Sequence, residues 1–335
     1  MTQIRERVAD GPVHPWVVAN RDRVAFALQA VAKDSRAPGK DLVTAGMAAD
    51  RLGFDAFFLG DHPAWAPEAW MHLGVIAAKT LRVRLGQMVA AVPYRTPLLT
   101  ARLQSDLDHL SNGRSILGLG IGWNASEYGL GTNEFDRMGI PYPAASVRQE
   151  GLEEAVEIIR GVWRGSPFSF QGKHYAATDA AVTSPVEEPP LVIAGGGPKT
   201  LGQVARLADC ANFGPGPAGQ VDTPDEAADK LRLLGEACHA HGRDPHSILP
   251  SHFTHWLMVA PTREAVEAKI RHHFPNGLDA FWGAYLVAGT PDEVASHFRG
   301  FVAAGIRYFV VQTLDPADEE SMALTISDVL PRVAQ

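Results

Sequence analysis

A histidine beside an aspartate is the first pair in this sequence whose chemistry could serve catalysis. Asp61 and His62 end a short apolar run, and Trp65 follows them closely. An imidazole accepts or donates a proton near neutral pH, which suits it to general acid–base catalysis. The plainer interpretation is a helix-capping Asp61 and a structural His62. The pair alone leaves both interpretations open.

A glycine triplet is the second candidate. Gly195, Gly196 and Gly197 follow an apolar run, and Lys199 and Thr200 come directly after them at the start of a predicted helix. Glycines there let backbone N–H groups approach an anion, and the helix N-terminus adds partial positive charge. The segment is therefore interpreted as a phosphate-binding turn, although a plain strand-to-helix turn has a similar composition. It lacks the GxxxxGK[ST] spacing of a P-loop.

A second set of glycines alternates along another apolar run and ends at Trp123. The last glycine of a dinucleotide-binding fingerprint would fall at Trp123, and no early βαβ unit starts there, so that fold is rejected. Small residues at a strand end instead leave room for a flat ring against the backbone. Gly120 and Gly122 are therefore expected beside a ligand ring.

The other histidines do not predict a metal site. Their spacings do not place a ligand set on one helical face, and no HExxH motif is present. His252 and His255 lie three apart on a predicted strand, so they should face opposite sides, and the sequence does not tell which one faces a pocket. Trp256 is expected to share the face of His252.

The elements that must position these residues alternate in a simple way. Short apolar runs are each followed by an amphipathic run with helical spacing, which predicts a parallel sheet covered by helices. Eight strands each followed by a helix would close a (β/α)8 barrel. The predicted strands are 24–28, 56–59, 83–89, 115–119, 191–194, 210–213, 252–259 and 308–312. A doubly wound open sheet is the alternative, which length and strand count disfavour.

One end of this α/β barrel is expected to hold the site, because active sites of such barrels lie at the C-terminal ends of the strands. Residues 1–335 are interpreted as a single barrel domain. It has an irregular lead-in at 1–22 and inserted segments at 120–146, 165–190 and 263–289. A small hairpin is predicted in the second insertion, at 168–175, and the third is predicted to be helical.

Composition disfavours several classes of function. The chain has 335 residues and a net charge of -8 without a long basic run, so a nucleic-acid partner is not expected. No window approaches the roughly 18 apolar residues of a membrane helix. The N-terminus lacks the apolar stretch of a secretory signal, and Cys210 and Cys238 are interpreted as reduced thiols. A cytoplasmic location is therefore expected.

Several motifs, each weak alone, together resemble the luciferase-like oxidoreductases that use a flavin or a deazaflavin. The matching segments extend over about residues 23–332. They are 52–56 leading to 60–62, 81–86 followed by 94–97, 110–114 through 118–124 to 127–128, 162–165, 170–175, 190–197 and 289–294. The resemblance implies a barrel enzyme that holds its cofactor ring at the barrel mouth.

The resemblance also implies roles for particular residues. In this family a bulge after the third strand, often with a non-proline cis peptide, backs the ring, and it corresponds to Met88–Val89 here. The Gly195–Gly197 turn would hold the cofactor phosphate. Asp61 would contact the ring and His62 would act as acid or base, with Trp65 nearby.

One position departs from the family pattern. Sugar-phosphate dehydrogenases of the deazaflavin branch carry a catalytic Glu in the loop after the fourth strand, where this chain has Trp123. A sugar-phosphate substrate is therefore not expected, and Glu127 is the hypothetical replacement. Aromatic side chains are expected to form the pocket wall, namely Trp65, Trp123, Phe135, Trp256, Phe281 and Trp282.

Two cofactors stay open at this point. Asp61, His62, Trp65 and the Gly122–Trp123 turn favour the deazaflavin coenzyme F420, with hydride transfer to or from a small organic substrate and proton transfer by His62. The alternative is an FMN-dependent two-component monooxygenase that uses O₂ and a separate reductase. A flavin-binding protein without turnover is the alternative of another class. Relatives are often dimers, so a homodimer is expected.

Overall fold

The computed structural model describes residues 12–31, 38–124, 133–165, 167–278 and 280–335. Its strands are β1 (Ala25–Ala30), β2 (Ala56–Leu59), β3 (Arg84–Ala91), β4 (Ser115–Gly120), β5 (Phe168–Gln171), β6 (Ala176–Ala180), β7 (Leu191–Ala194), β8 (Cys210–Phe213), β9 (Leu249–Thr254), β10 (Leu257–Val259), β11 (Val287–Gly289) and β12 (Tyr308–Thr313). Its helices are α1 (Pro15–Asn20), α2 (Pro38–Leu52), α3 (Ala69–Lys79), α4 (Pro97–Ser111), α5 (Glu134–Met138), α6 (Ala145–Trp163), α7 (Pro198–Leu207), α8 (Gly216–Gly219), α9 (Pro224–Ala240), α10 (Arg263–His273), α11 (Ala280–Tyr285), α12 (Pro291–Ala304), α13 (Glu319–Leu324) and α14 (Leu330–Val333). Within these ranges, no helix has both the length and the apolar character to span a membrane.

A closed parallel barrel forms the centre of the molecule, with the strand order β1-β12-β9-β8-β7-β4-β3-β2. β1 pairs with both β2 and β12, so the first and last strands of the chain close the ring. The predicted (β/α)8 barrel is thus confirmed. The barrel brings the C-terminal ends of its eight strands to one mouth, where the site is predicted to lie.

Apolar residues divide between two layers according to the alternation along each strand. On β1, Ala25 and Ala27 belong to the cluster inside the barrel. Phe26 and Leu28 belong to the larger cluster between the strands and the helices. Both faces of the strand are therefore buried, which explains why the barrel strands are nearly continuous apolar runs.

The lead-in is not irregular throughout, because it contains α1. Pro15 occupies the first turn, and the His14 side chain accepts a hydrogen bond from the Trp16 N–H. Trp16 Nε1 donates to Asp55 at 3.1 Å, and the Tyr308 hydroxyl donates to the same carboxylate at 2.8 Å. These contacts close the N-terminal end of the barrel and leave the opposite end for a site.

The structure confirms one prediction for this part of the chain and corrects two. The hairpin is present as the antiparallel pair β5–β6. The single strand predicted over 252–259 is wrong, because β9 ends at Thr254 and β10 pairs with β11 outside the barrel. Trp256 lies between β9 and β10 with φ 37°, which interrupts an extended backbone. The helical prediction for 263–289 is likewise wrong at its end, where β11 follows α11.

Candidate active site at the barrel mouth

The end of β3 carries a bulge at the barrel mouth. Its register against β4 shifts between Gln87 and Ala90. The peptide bond between Met88 and Val89 is cis, as the family resemblance implied. The contact of Met88 and Val89 with a cofactor ring stays a prediction.

Polar side chains lead from this bulge across the barrel. Gln29 Nε2 donates to the Met88 carbonyl at 2.6 Å, and Gln312 Nε2 donates to Gln29 Oε1. Gln312 in turn hydrogen-bonds with His255. Burial lowers the pKa of His255 to about 4, against this hydrogen bond, so the imidazole is neutral near pH 7. The hydrogen bond with Gln312 therefore places His255 beside the glutamines of β1 and β12.

Asp61 joins the ends of β2 and β3. Its carboxylate accepts two hydrogen bonds from Arg95, at 2.6 and 2.9 Å, and one from the Ala91 N–H at 3.0 Å. Arg95 also contacts Glu68 at 3.1 Å. The Asp61 side chain is only 2% exposed, so this bidentate pair is held away from water. The expected contact between Asp61 and a cofactor ring stays a prediction.

His62 is held by a buried carboxylate that sequence reasoning did not find. Its Nδ1 lies 3.1 Å from Glu134 Oε2. Glu134 Oε1 accepts a hydrogen bond from the Ala64 N–H at 3.1 Å, and the Tyr94 side chain also hydrogen-bonds with Glu134. The Glu134 side chain is 1% exposed and that of His62 is 28% exposed. His62 is therefore fixed on one edge and stays partly exposed.

Two tryptophans confine the imidazole of His62. The Trp65 ring stacks on it at 5.3 Å, and Trp123 meets it edge to face at 6.0 Å. A Cβ on Gly60 would lie 3.3 Å from His62 Nε2, so this nitrogen lies over the end of β2. The structure thus brings together three of the predicted site residues, His62, Trp65 and Trp123.

Close packing explains the glycines at the end of β4 and just after it. A Cβ on Gly120 would lie 2.5 Å from the Val89 side chain. Gly122 has φ 75°, and a Cβ there would lie 2.7 Å from Phe135. Both positions exclude larger side chains for reasons of packing. Their expected contact with a ring stays a prediction.

The glycine triplet forms the N-terminus of α7. Gly195 has φ 127°, which favours glycine, and a Cβ on Gly196 would lie 2.1 Å from the Gly219 carbonyl oxygen. At Gly197 a Cβ would meet no atom within 4 Å among the described residues. Within the same part of the chain, no side chain caps α7. The first-turn N–H groups of α7 lack intrahelical acceptors, so this open helix end fits an anionic group.

Cations border this helix end. Lys199 is exposed and donates to the Ser146 carbonyl at 3.3 Å. Lys230, which sequence reasoning did not single out, donates to the Gly196 carbonyl at 2.8 Å. Thr200 accepts a long hydrogen bond of 3.5 Å from Gln149. The charge and the open backbone are consistent with the predicted phosphate-binding turn.

Comparison with known proteins places this arrangement in a family. Residues 23–282 match the luciferase-like monooxygenase family. The chain belongs to that family. Among its relatives is the F420-dependent glucose-6-phosphate dehydrogenase of Beutenbergia cavernae, 32% identical over 327 residues, covering 88% of this chain and 93% of the relative. The enzyme of the same name from Kineococcus radiotolerans is 28% identical over 336 residues, with 88% and 93% covered.

A solved structure supports the fold of this luciferase-like chain. The coenzyme F420-dependent tetrahydromethanopterin reductase from Methanopyrus kandleri superposes with a TM-score of 0.77, covering 93% of this chain and 99% of the reductase. At 20% identity, the likeness concerns the barrel architecture.

His252 and His255, the two histidines of the seventh predicted strand, have different surroundings in this luciferase-like barrel. His252 packs against Phe301 at 4.4 Å and donates from Nε2 to the Val221 carbonyl at 3.2 Å, so it faces the helices. Trp256 does not share its face, because the strand alternation ends at Thr254. It is buried in a separate cluster instead.

Other expectations for the pocket wall meet mixed outcomes. Phe135 is fully buried and packs against Tyr94 at 4.6 Å, so it belongs to the core and not to a wall. Trp256 is also buried, at 7% exposure. Glu127 lies outside the described residues, as do the side chains of Phe281 and Trp282.

Proposed function

We propose that this chain is an oxidoreductase that transfers hydride between a small organic substrate and coenzyme F420. The observation that carries the proposal is the setting of His62. Its Nδ1 edge faces a buried carboxylate, and its Nε2 edge lies over the end of β2 at the barrel mouth. A positioned proton carrier is what hydride transfer to or from an alcohol or carbonyl requires. The names of the curated relatives support F420 as the coenzyme.

Residues at the barrel mouth are proposed to bind the phosphate and the ring of that coenzyme. The open N-terminus of α7, with Gly197, Lys199 and Thr200, is proposed to hold its phosphate. Met88 and Val89 on β3 are proposed to contact its ring. The remaining proposed ring contacts are Asp61, Gly120 and Gly122, and Gly195 and Gly196 would shape the phosphate turn. Coenzyme F420, when bound, supplies a ring carbon that accepts or returns hydride.

The substrate is proposed to be a small organic molecule other than a sugar phosphate. According to the family resemblance, Trp123 stands where the sugar-phosphate dehydrogenases carry their catalytic Glu. Trp123 packs edge to face against His62 at 6.0 Å. Trp65 stacks on the same imidazole and is 46% exposed. Such aromatic surfaces suit an apolar or flat substrate better than a hydrated sugar.

A cofactor titration tests the proposal. Purified protein is titrated with oxidised F420 and, separately, with FMN, and binding is followed by cofactor fluorescence and by the melting temperature. Saturable binding of F420 that is tighter than binding of FMN is expected. Tighter binding of FMN would favour the two-component monooxygenase, and no response to either cofactor would refute a redox function.

A variant separates binding from catalysis. His62→Ala should leave the affinity for F420 within a few-fold of the wild type while lowering turnover by about 10²–10⁴-fold. Thr44→Ala on α2 is a control, because Thr44 is exposed and, among the described residues, its hydroxyl bonds the Lys40 carbonyl of its own helix. Unchanged turnover in His62→Ala would contradict the proton role.

Assembly and location are further proposals. We propose a homodimer on the family resemblance, and exposed apolar side chains on and after α3 support it, since Met71 is 72% exposed and Leu81 is 87% exposed. Size-exclusion chromatography with light scattering tests it, and a monomer across micromolar concentrations would contradict it. The cytoplasm is the proposed location, and a separate reductase partner is proposed only for the FMN alternative.

A further inference from the structure

The carboxylate of Glu134 has three neighbours that can donate hydrogen bonds. Oε1 accepts from the Ala64 N–H at 3.1 Å, and Oε2 lies 3.1 Å from His62 Nδ1. The Tyr94 side chain bonds with the same carboxylate. At 1% exposure, the Glu134 side chain makes these contacts in place of contacts with water. A buried carboxylate with this set of partners is well satisfied as an anion.

The proton on His62 follows from these partners. The Ala64 amide can only donate. Burial and the neighbouring Glu134 charge raise the pKa of Tyr94 above its ordinary value, so its hydroxyl keeps its proton and donates as well. An ionised carboxylate only accepts, so the nitrogen that faces it must carry hydrogen. In neutral His62 that nitrogen is Nδ1, and Nε2 is left with its lone pair.

We propose that Glu134 is a positioning residue that fixes His62 in the Nδ1–H tautomer and directs the basic Nε2 to the barrel mouth. The inference rests on the proposed function of His62. With F420 bound as the hydride acceptor, His62 Nε2 would take the hydroxyl proton of an alcohol as the carbonyl forms. The imidazole then bears a positive charge that the Glu134 carboxylate stabilises. The reverse steps return the proton when a carbonyl is reduced.

Glu134 does not take the place of the glutamate that Trp123 replaces. Both of its oxygens are engaged, and it contacts the edge of His62 opposite to the one that lies over Gly60. It therefore acts through His62. The stacked Trp65 and the edge of Trp123 hold the imidazole plane, which limits rotation away from Glu134.

The tautomer is measured directly by ¹⁵N NMR of histidine-labelled protein without cofactor, near pH 7. The His62 signals are identified by their absence in His62→Ala. The wild type is expected to show a protonated Nδ1 and an unprotonated Nε2. The opposite tautomer would overturn the inference, even if the F420 titration succeeds. The expected tautomer supports it, even if that titration fails, so the two failures are distinguishable.

Glu134→Gln provides the matched variant. The Gln carbonyl is needed by the Ala64 N–H, so the Gln amide group should donate to His62 Nδ1 and invert the tautomer. Turnover should fall by about 10²-fold or more, with F420 affinity unchanged. Glu134→Asp retains the charge and should recover the Nδ1–H signal and part of the turnover. Wild-type turnover in a folded Glu134→Gln variant, or an unchanged tautomer, would contradict the inference.

Discussion

Replacing Asp61 by Asn tests whether the pair of Asp61 and Arg95 holds the barrel mouth together. The carboxylate receives two hydrogen bonds from Arg95 and one from the Ala91 N–H, and the side chains of the pair are 2% and 14% exposed. Asn keeps the shape but removes the charge, and its amide N–H₂ would face a guanidinium donor. Breaking a buried ion pair from one side typically costs about 3–5 kcal/mol.

The lower end of that range applies here, because Arg95 keeps its contact with Glu68 at 3.1 Å. We therefore expect Asp61→Asn to lower the free energy of unfolding by about 3 kcal/mol, measured by urea titration of the cofactor-free protein. Amide hydrogen exchange at Ala91 should also accelerate, since this N–H loses a charged acceptor.

An exposed pair supplies the control for this experiment. Arg332 contacts Asp292 at 2.9 Å, and the Asp292 side chain is 85% exposed. Asp292→Asn makes the same chemical change and should alter stability by less than about 1 kcal/mol. If Asp61→Asn changed stability no more than this control, the structural role assigned to the Asp61–Arg95 pair would be refuted.

Two further predictions concern the helix end and the response to pH. Gly196→Ala should destabilise the protein by about 1–3 kcal/mol, because its Cβ would meet the Gly219 carbonyl. Gly197→Val should cost no more than about 1 kcal/mol, the loss of a favourable N-cap residue, and should weaken F420 binding. Scanning calorimetry measures the stability of both variants, and titration calorimetry measures their affinity for F420. Unchanged affinity in Gly197→Val would contradict the phosphate assignment. Burial lowers the pKa of His252 to about 4, so the unfolded state binds more protons below pH ~6.5 and stability should fall by roughly 3 kcal/mol towards pH 4. His252→Gln should flatten this urea-unfolding profile, and an equally steep profile would contradict the burial argument.

The barrel could be predicted because its strands and helices have local signatures. Both faces of a strand such as β1 are buried, so the strand is a short apolar run, and each amphipathic helix follows with its own spacing. The split of the seventh predicted strand could not be predicted in this way. It depends on the φ of 37° at Trp256, a conformation that a bulky residue rarely adopts.

Within the lead-in, α1 had a signal that could have found it. Pro15 stands at the first helical position and His14 caps it, so a favoured helix start was present in the sequence. Its apolar residues, Trp16 and Val17, are both buried at the base of the barrel.

The candidate site was predictable only in part. His62 and the Gly195–Gly197 turn follow strands directly, so their place at the mouth follows from the topology alone. Glu134 lies 72 positions after His62 in the sequence, and a single sequence gives no indication of a contact between residues so far apart. Arg95 lay in a motif of the resemblance without an assigned role. Gln29 and Gln312 are polar residues on buried strands, which was the available signal for a polar network.

Anaerobic hydride transfer is the measurement that tests the central claim most directly. Protein loaded with F420 is mixed with a panel of small alcohols and with glucose 6-phosphate, and the absorbance band of the oxidised coenzyme at roughly 420 nm is followed. We expect the band to disappear without oxygen for at least one alcohol, to persist with glucose 6-phosphate, and to persist in His62→Ala despite bound coenzyme. Turnover that requires FMN and oxygen, or an equally fast loss of the band in His62→Ala, would contradict the account.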